Sequence, residues 1–319
     1  MNDIETLRSN VRGQVLQSND EGYDEARSIW NALIDRRPAV IVRASGVADV
    51  VAAVRFGRAN GLQISVRGGG HNVAGTAVAD DGLMVDLSSM RAVHVDPMQR
   101  TARVQGGATL ADLDHETSAF DLVIPGGVVS STGVAGLTLG GGFGWLARLH
   151  GLAADNLLEV DLVTTDGDMI TASDRSNADL FWALRGGSGN FGIATSFLFR
   201  LHELPDPILF GPTMYRLEDA ADVLRRYSAF IKEAPRECCV WADLMTAPPV
   251  PFLEERYHGT KVVTLMQCYA GSPEDGEAIL SPLQGGEAIG HAVGPMRYVD
   301  AQQILDQTYA KGLRNYWKS

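Results

Sequence analysis

The chain has 319 residues, of which 45% are hydrophobic and 21% are charged, a balance typical of globular domains. Disorder along the whole chain is therefore excluded, and the length suits two domains. The formal net charge of −12 argues against nucleic acid as a partner, because phosphate-binding surfaces are basic.

The first part of the chain alternates predicted strands and helices. A strand at 39–43 precedes a helix that we expect Ser45 to cap, and a second strand at 62–67 runs into a glycine turn. This order predicts a β-α-β unit. The elements predicted after it are strands at 83–87, 92–95 and 101–105, a helix at 109–118, a hairpin at 157–164 and 169–171, a helix at 177–184 and a strand at 193–201.

Proline usage marks a domain boundary. Three of the 13 prolines lie in 1–204 and ten in 205–319, beginning with Pro205 and Pro207. We therefore expect one domain at 1–204 and a second at 205–319, with an antiparallel sheet covered by helices on one side, an α+β arrangement. Its predicted strands are 213–216, 240–245 and 262–269, and its predicted helices are 219–232, 273–283 and 298–310.

The cysteines and the apolar segments bear on location. The three cysteines, two of them adjacent, provide no disulfide framework, and we expect no secretory leader, so the predicted location is cytoplasmic. The uncharged stretch 122–147 has the length of a membrane span, but eight of its 26 residues are glycine. We predict a glycine-lined ligand site there, with no membrane contact. No residues have the spacing of metal ligands.

The first candidate site is Arg67-Gly68-Gly69-Gly70-His71-Asn72, directly after a predicted strand. Consecutive glycines let backbone N–H groups point at one spot, which suits a pyrophosphate, and Arg67 would add positive charge. His71, with an ordinary pKa of about 6.5, offers a mostly neutral and nucleophilic imidazole at pH 7. A tight turn with a surface histidine is the alternative interpretation.

Two further glycine-rich segments follow. One runs from Ser130 to Gly144 and offers hydroxyl groups and uncovered backbone, although close packing of two backbone layers explains its glycines equally well. The other runs from Gly186 to Gly192 and fits GxGxxG literally. A helix precedes it and a strand follows it, the reverse of the dinucleotide fingerprint, so we reject a Rossmann fold and interpret it as a turn that contacts a ligand.

Taken together, the three segments resemble the berberine-bridge-enzyme-like FAD-linked oxidoreductases of the vanillyl-alcohol-oxidase/PCMH flavoprotein superfamily. The resemblance runs in the same order from about residue 38 to 204, through RGGGHN, GLTLGGGFGWL and DLFWALRGGSGNFGIAT. It implies a PCMH-type FAD-binding domain at 1–204 and FAD as the cofactor. It also implies a covalent bond between His71 and the flavin 8α-methyl carbon. The cofactor-binding residues implied, besides His71, are Arg67, Gly68, Gly69, Gly70, Asn72, Ser130, Ser131, Thr132, Gly133, Gly136, Gly140, Gly141, Gly142, Gly144, Asn190, Gly192 and Ile193.

This sequence departs from that family in two respects. Many relatives attach the flavin through a second residue, a cysteine, at the position of Val129, so we expect a single attachment point here. Relatives also continue for more than a hundred residues, so the substrate domain at 205–319 is expected to be incomplete. The catalytic base of the family usually lies in that later part, and no catalytic residue is named.

The resemblance implies oxidation of a small organic substrate, an alcohol or an activated C–H group, by hydride transfer to a histidyl-linked FAD. Dioxygen or another acceptor would then reoxidise the flavin. The alternatives are a non-covalent flavoprotein of the same fold and a truncated, non-catalytic flavin-binding chain. The sequence indicates neither the substrate nor the oligomeric state.

Overall fold

A computed structural model describes residues 4–316. Its helices in chain order are α1 Ile4–Asn10, α2 Tyr23–Arg27, α3 Val47–Ala59, α4 Leu110–Ser118, α5 Val134–Leu139, α6 Ala147–His150, α7 Ala178–Leu184, α8 Ala220–Glu233, α9 Pro273–Gln284 and α10 Tyr298–Ala301. Its strands are β1 Gln14–Leu16, β2 Val40–Arg43, β3 Ile64–Arg67, β4 Leu83–Asp86, β5 Val93–Asp96, β6 Thr101–Gln105, β7 Leu122–Val123, β8 Leu157–Val163, β9 Met169–Ser173, β10 Ile193–Arg200, β11 His202–Glu203, β12 Ile208–Arg216, β13 Cys238–Thr246, β14 Lys261–Tyr269, β15 Gly290–His291 and β16 Gly294–Met296. Short 3-10 helices lie at Ala153–Asn156, Leu217–Asp219 and Glu255–Tyr257.

The described residues divide into two compact units. The first contains 4–143, 152–202 and 303–316, and the second contains 144–151 and 203–302. The expected single cut after Leu204 differs from this division in two places. A short segment around α6 groups with the later residues, and the segment from 303 onwards groups with the first unit.

The first unit contains two sheets. In the first sheet the strand order is β1-β2-β4-β3, with β4 parallel to both β2 and β3, so β2, α3 and β3 form the predicted β-α-β unit. In the second sheet the order is β5-β6-β10-β8-β9, and every pair is antiparallel. The predicted hairpin is confirmed, since Val160 in β8 pairs with Ala172 in β9. The mixed α/β architecture with antiparallel sheets confirms the predicted fold class.

Apolar side chains explain how these elements pack. On α3, Val50, Ala53 and Val54 are buried against Val42 of β2 and Val85 of β4. Removing these apolar surfaces from water is the main force that holds the helix on the sheet. A second cluster joins α4 and α7 to the second sheet of the unit. The glycine-lined turns lie at the strand ends that these two clusters fix.

The second unit is an antiparallel sheet in the order β13-β14-β12-β15, with β16 also pairing with β12. Helices α8 and α9 bury Val223 and Leu280 in a cluster with Val240 and Leu265 of the sheet. Within the unit, Arg148 from α6 donates to the carbonyl of Cys238 at 2.6 Å.

Several sequence expectations need correction. Ser45 does not cap α3. The cap is Gly46, and the Ser45 N–H and hydroxyl both donate to the Asp49 carboxylate. The expected helix at 298–310 ends at Ala301, and residues 302–309 form turns. The Tyr309 carbonyl accepts a hydrogen bond from the Trp30 indole. The strand expected at 213–216 begins five residues earlier, at Ile208. Helices α1, α2, α5 and α6 were not predicted.

Candidate functional site

Two of the predicted glycine segments cross at one point in the first unit. A Cβ atom on Gly69 would lie 2.2 Å from the Gly133 nitrogen, and one on Gly133 would lie 2.3 Å from the Gly69 nitrogen. Real Cβ contacts are never this short, so only glycine allows the two backbones to touch. The turn after β3 and the turn before α5 are thereby held together. The alternative that these glycines pack backbone layers applies at this crossing.

A cavity of about 370 Å³ opens beside the crossing, within the size range of small-molecule sites. The backbone of several glycines and a few short side chains form its walls. Its lining residues are Val66, Gly68, Gly69, Gly70, His71, Asn72, Thr76, Ala77, Leu87, Gly106, Thr132, Gly133, Ala135, Gly136, Leu137, Leu139, Ser188, Gly189, Gly192, Ile193 and Ala194.

Residues from all three predicted segments meet in this cavity. The predicted site residues that line it are Gly68, Gly69, Gly70, His71, Asn72, Thr132, Gly133, Gly136, Gly192 and Ile193. Those that do not line it are Arg67, Ser130, Ser131, Gly140, Gly141, Gly142, Gly144 and Asn190. Gly142 packs instead against Ala153. A Cβ atom added to Gly142 would lie 2.8 Å from the Cβ of Ala153, so its role in the structure is close packing.

The side chain of Arg67 turns away from the cavity. Its Nη2 lies 2.6 Å from the carboxylate of Asp86, which is fully buried, and its Nη1 donates to the Ala26 carbonyl at 2.7 Å. Arg43 also pairs with Asp86, at 3.1 Å. A buried carboxylate needs such partners, so the positive charge of Arg67 serves to compensate the negative charge of Asp86. The pyrophosphate site expected around Arg67 therefore consists of glycine backbone, without the charge of that side chain.

His71 is the titratable residue of the cavity wall. Its Nε2 lies 2.8 Å from the Ser131 hydroxyl, and its ring stacks on Trp30 with centroids 4.9 Å apart and planes inclined by 22°. Burial lowers the pKa of His71 to about 4, although the negative charge of Asp306 acts in the opposite direction. The imidazole is therefore neutral throughout the physiological pH range, and the ring nitrogen that carries no proton is able to act as a nucleophile.

Two residues near His71 were not found by sequence reasoning. Trp30 supplies the stacked ring, and Asp306 accepts hydrogen bonds from both the backbone N–H and the hydroxyl of Ser130. Neither lies in a glycine-rich motif, and Asp306 is far from His71 in the sequence. No local signal could have found them, because each contact joins residues that are distant in the sequence: Trp30 with His71, and Asp306 with Ser130.

The cavity can be tested for its fit to a flat, phosphate-bearing cofactor. A Cβ atom placed on Gly136 or Gly189, both of which line the cavity, would meet no atom within 4 Å. These glycines therefore face open space and leave room that a side chain would fill. Among the described lining residues there is no carboxylate to repel a phosphate group. The cavity residues fit a dinucleotide such as FAD, and the lining residues Thr76, Thr132 and Ser188 carry hydroxyl groups.

The cysteines of the second unit do not form a reactive site. Cys238, Cys239 and Cys268 are free and buried. Burial raises the pKa of the Cys238 thiol to about 12 and that of Cys239 to about 11, so both thiols are uncharged at neutral pH. Among residues 4–316, no group of three or more His, Cys, Asp or Glu is arranged to bind a metal ion. None of the helices in that range is both long enough and apolar enough to cross a bilayer.

Comparison with known proteins gives a consistent result. Residues 38–173 match the family described as FAD binding domain. (R)-6-hydroxynicotine oxidase of Paenarthrobacter nicotinovorans is 41% identical over 201 residues, 63% of this chain and 44% of that relative. The crystal structure of 6-hydroxy-D-nicotine oxidase from Arthrobacter nicotinovorans superposes with a TM-score of 0.86 at 31% identity, covering 95% of this chain.

A second solved structure, BBE-like 1 of Physcomitrella patens, superposes with a TM-score of 0.85 at 25% identity and covers 96% of this chain. The present chain spans 65% of each of these two solved chains. The matched domain, the shared fold and the cavity agree on the cofactor, which is FAD. The chain belongs to the vanillyl-alcohol-oxidase/PCMH flavoprotein superfamily, among the berberine-bridge-enzyme-like FAD-linked oxidoreductases.

Proposed function

We propose that this chain is an FAD-dependent oxidoreductase that oxidises a small organic substrate at an alcohol or an activated C–H group. FAD would be held in the glycine-lined cavity of the first unit and bonded covalently to His71. The second unit, with its antiparallel sheet, is the proposed substrate domain. When bound, FAD would supply the two-electron redox chemistry of hydride acceptance from the substrate, with dioxygen or another acceptor as the final oxidant.

One observation carries this proposal: a neutral, half-buried histidine lies in the wall of a cavity that is lined by glycine backbone and short or apolar side chains. His71 is held on one side by Ser131 and on one face by Trp30. Such a ring can attack an electrophilic carbon without first losing a proton to solvent. The name of the 41% identical relative, an oxidase of 6-hydroxynicotine, supports oxidation of a small molecule.

The residues proposed to contact FAD have distinct tasks. Gly68, Gly69 and Gly70 present backbone N–H groups, which suit the negatively charged pyrophosphate. Gly136 and Gly189 leave space for the flat ring system. Ile193 and Leu137 provide apolar walls that exclude water from the ring. Asn72 and Thr132 add polar contacts at the rim.

Anaerobic spectroscopy of the purified holo chain tests the proposal. We expect flavin absorbance near its visible maximum to bleach on addition of a substrate from a panel of alcohols, sugars and cyclic amines. Admission of air should restore the colour. The exposed variant Asp300→Asn, which lies outside the cavity, serves as the control and should behave as the wild type. A yellow chain that no substrate bleaches supports the alternative of a non-catalytic flavin-binding chain. Flavin released by acid supports the non-covalent alternative.

A further inference from the structure

The segment 303–316 is fastened to the loop that carries Trp30. The Gly312 N–H donates to the Trp30 carbonyl at 3.0 Å, and the Trp30 indole donates to the Tyr309 carbonyl at 2.8 Å. The Trp30 N–H in turn donates to the Gly70 carbonyl at 3.1 Å, in the glycine turn next to His71. The segment therefore fixes the ring on which His71 stacks.

The same segment also reaches the other side of His71. The Asp306 carboxylate accepts the Ser130 N–H at 2.8 Å and the Ser130 hydroxyl through its second oxygen. Two bonds to one carboxylate fix both the position and the orientation of this turn. The next residue, Ser131, places its hydroxyl 2.8 Å from Nε2 of His71. A chain of contacts thus runs from Asp306 through Ser130 and Ser131 to the imidazole.

We propose that Ser131 and Asp306 are positioning residues that hold the His71 imidazole in the orientation in which it bonds to FAD. The inference rests on the proposed covalent attachment and deepens it. Ser131 acts on the ring directly, and Asp306 acts through the turn at Ser130. Neither side chain lines the cavity itself, so their effect on non-covalent FAD binding is small.

The proposal assigns to His71 the tautomer in which Nε2–H faces the Ser131 oxygen. In the tautomer in which Nε2–H donates to the Ser131 oxygen, Nδ1 carries the free lone pair. The new bond joins Nδ1 to the 8α-methyl carbon of FAD. One hydrogen leaves the imidazole and one leaves the methyl group, and both remain, with two electrons, on the reduced flavin. Dioxygen then takes those two hydrogens and two electrons and becomes hydrogen peroxide, which restores oxidised flavin.

Asp306 adds an electrostatic contribution to its positional one. Positive charge develops on the imidazole as the bond to carbon forms. The negative charge of Asp306 acts to raise the pKa of His71, which means that it stabilises the positively charged ring. A fixed carboxylate near the ring therefore lowers the free energy of the bond-forming transition state relative to the unreacted imidazole.

The rate of covalent flavin attachment tests this inference. Apo chain from riboflavin-starved cells is mixed with FAD, and covalent flavin is followed by fluorescence of the denatured protein band. Non-covalent affinity is measured in parallel by flavin fluorescence quenching in a His71→Ala background. We expect Ser131→Ala and Asp306→Asn each to slow attachment about tenfold, while FAD affinity stays within about twofold. Ser131→Ala removes the hydrogen bond to the ring, and Asp306→Asn removes the negative charge and weakens the hold on the turn at Ser130.

Conservative and matched variants separate a loss of ring positioning from a nonspecific effect on the folded protein. Ser131→Thr keeps the hydroxyl and should attach flavin at nearly the wild-type rate. Two sites away from the cavity, half-buried Ser118 and exposed Asp300, provide controls, and Ser118→Ala and Asp300→Asn should leave the rate unchanged. If circular dichroism shows that Asp306→Asn is unfolded, Ser130→Ala replaces it, since that variant removes only one of the two bonds to the carboxylate.

The outcomes distinguish this inference from the proposed function. Wild-type attachment with undiminished rates in Ser131→Ala and Asp306→Asn overturns the positioning roles and leaves covalent attachment standing. A wild-type chain that binds FAD without any covalent bond overturns both. Slow attachment in Ser131→Thr as well as in Ser131→Ala also contradicts the inference, because the hydroxyl would then not be the feature that matters.

Discussion

Two glycines three residues apart are predicted to respond to alanine in opposite ways. At Gly133, the new Cβ would lie 2.3 Å from the nitrogen and 2.9 Å from the Cα of Gly69. Both are backbone atoms, so the two turns must separate by about 1 Å, and overpacking of this kind costs about 3 kcal/mol. For a unit of this size that lowers the melting temperature by about 6–12 °C.

At Gly136 the new Cβ meets no atom within 4 Å. Alanine inside helix α5 should therefore stabilise the apo chain, by about 0.5–1 kcal/mol. The added methyl group would stand in the cavity that Gly136 lines, so FAD binding should weaken by about tenfold, the equivalent of about 1.4 kcal/mol. Gly136→Ala thus separates loss of cofactor from loss of fold.

The assay combines thermal unfolding of the apo chain with FAD titration in a His71→Ala background, where no covalent bond can form. We expect Gly133→Ala to lower the melting temperature and Gly136→Ala to raise it slightly while weakening FAD binding. A Gly133→Ala variant as stable as the wild type would refute the backbone crossing. Unchanged FAD affinity in Gly136→Ala would refute the placement of the cofactor in this cavity.

Three further predictions concern charges and the second unit. Asp86→Asn should lower the free energy of unfolding by about 3 kcal/mol in urea titrations, since it leaves Arg67 and Arg43 without their buried carboxylate; an unchanged midpoint would contradict this pairing. Because the folded pKa of His71 is about 4, below its unfolded value of 6.5, the unfolded state binds more protons between those pH values. The wild-type apo chain should therefore lose stability relative to His71→Gln as the pH falls through that window, and parallel pH profiles would refute the lowered pKa. Arg148→Ala should make the second unit more sensitive to protease, because two backbone carbonyls lose their donor, and wild-type cleavage rates would count against that role.

Local sequence patterns predicted much of the first unit. The strand that ends in Arg67 and the glycine turn after it, the hairpin joining β8 and β9, and the helix α4 after Thr109 all follow from side-chain periodicity and turn residues. Thr109 caps α4 with a reciprocal capping box that includes Asp112. These features depend on neighbours in the chain, and so a single sequence contains their signal.

The remaining features depend on contacts between distant residues. Arg67 was expected at the cofactor, but its side chain pairs with Asp86, and nothing near Arg67 in the sequence indicates that partner. The expectation that Gly141 approaches the ligand stays a prediction, since an added Cβ there would meet only Leu152, at 3.6 Å, which leaves space beside it. The link from Asp306 to His71 requires the fold to bring the two ends of the chain together. Spacing alone carries no information on such pairs.

The most direct test of the account is the intact mass of the wild-type chain purified from flavin-replete cells, measured under denaturing conditions beside His71→Ala. We expect a wild-type mass equal to the polypeptide plus one FAD less two hydrogens, and an unmodified polypeptide mass for the variant. An unmodified wild-type mass in a preparation that was yellow before denaturation would contradict covalent attachment at His71. So would an adduct that persists in His71→Ala.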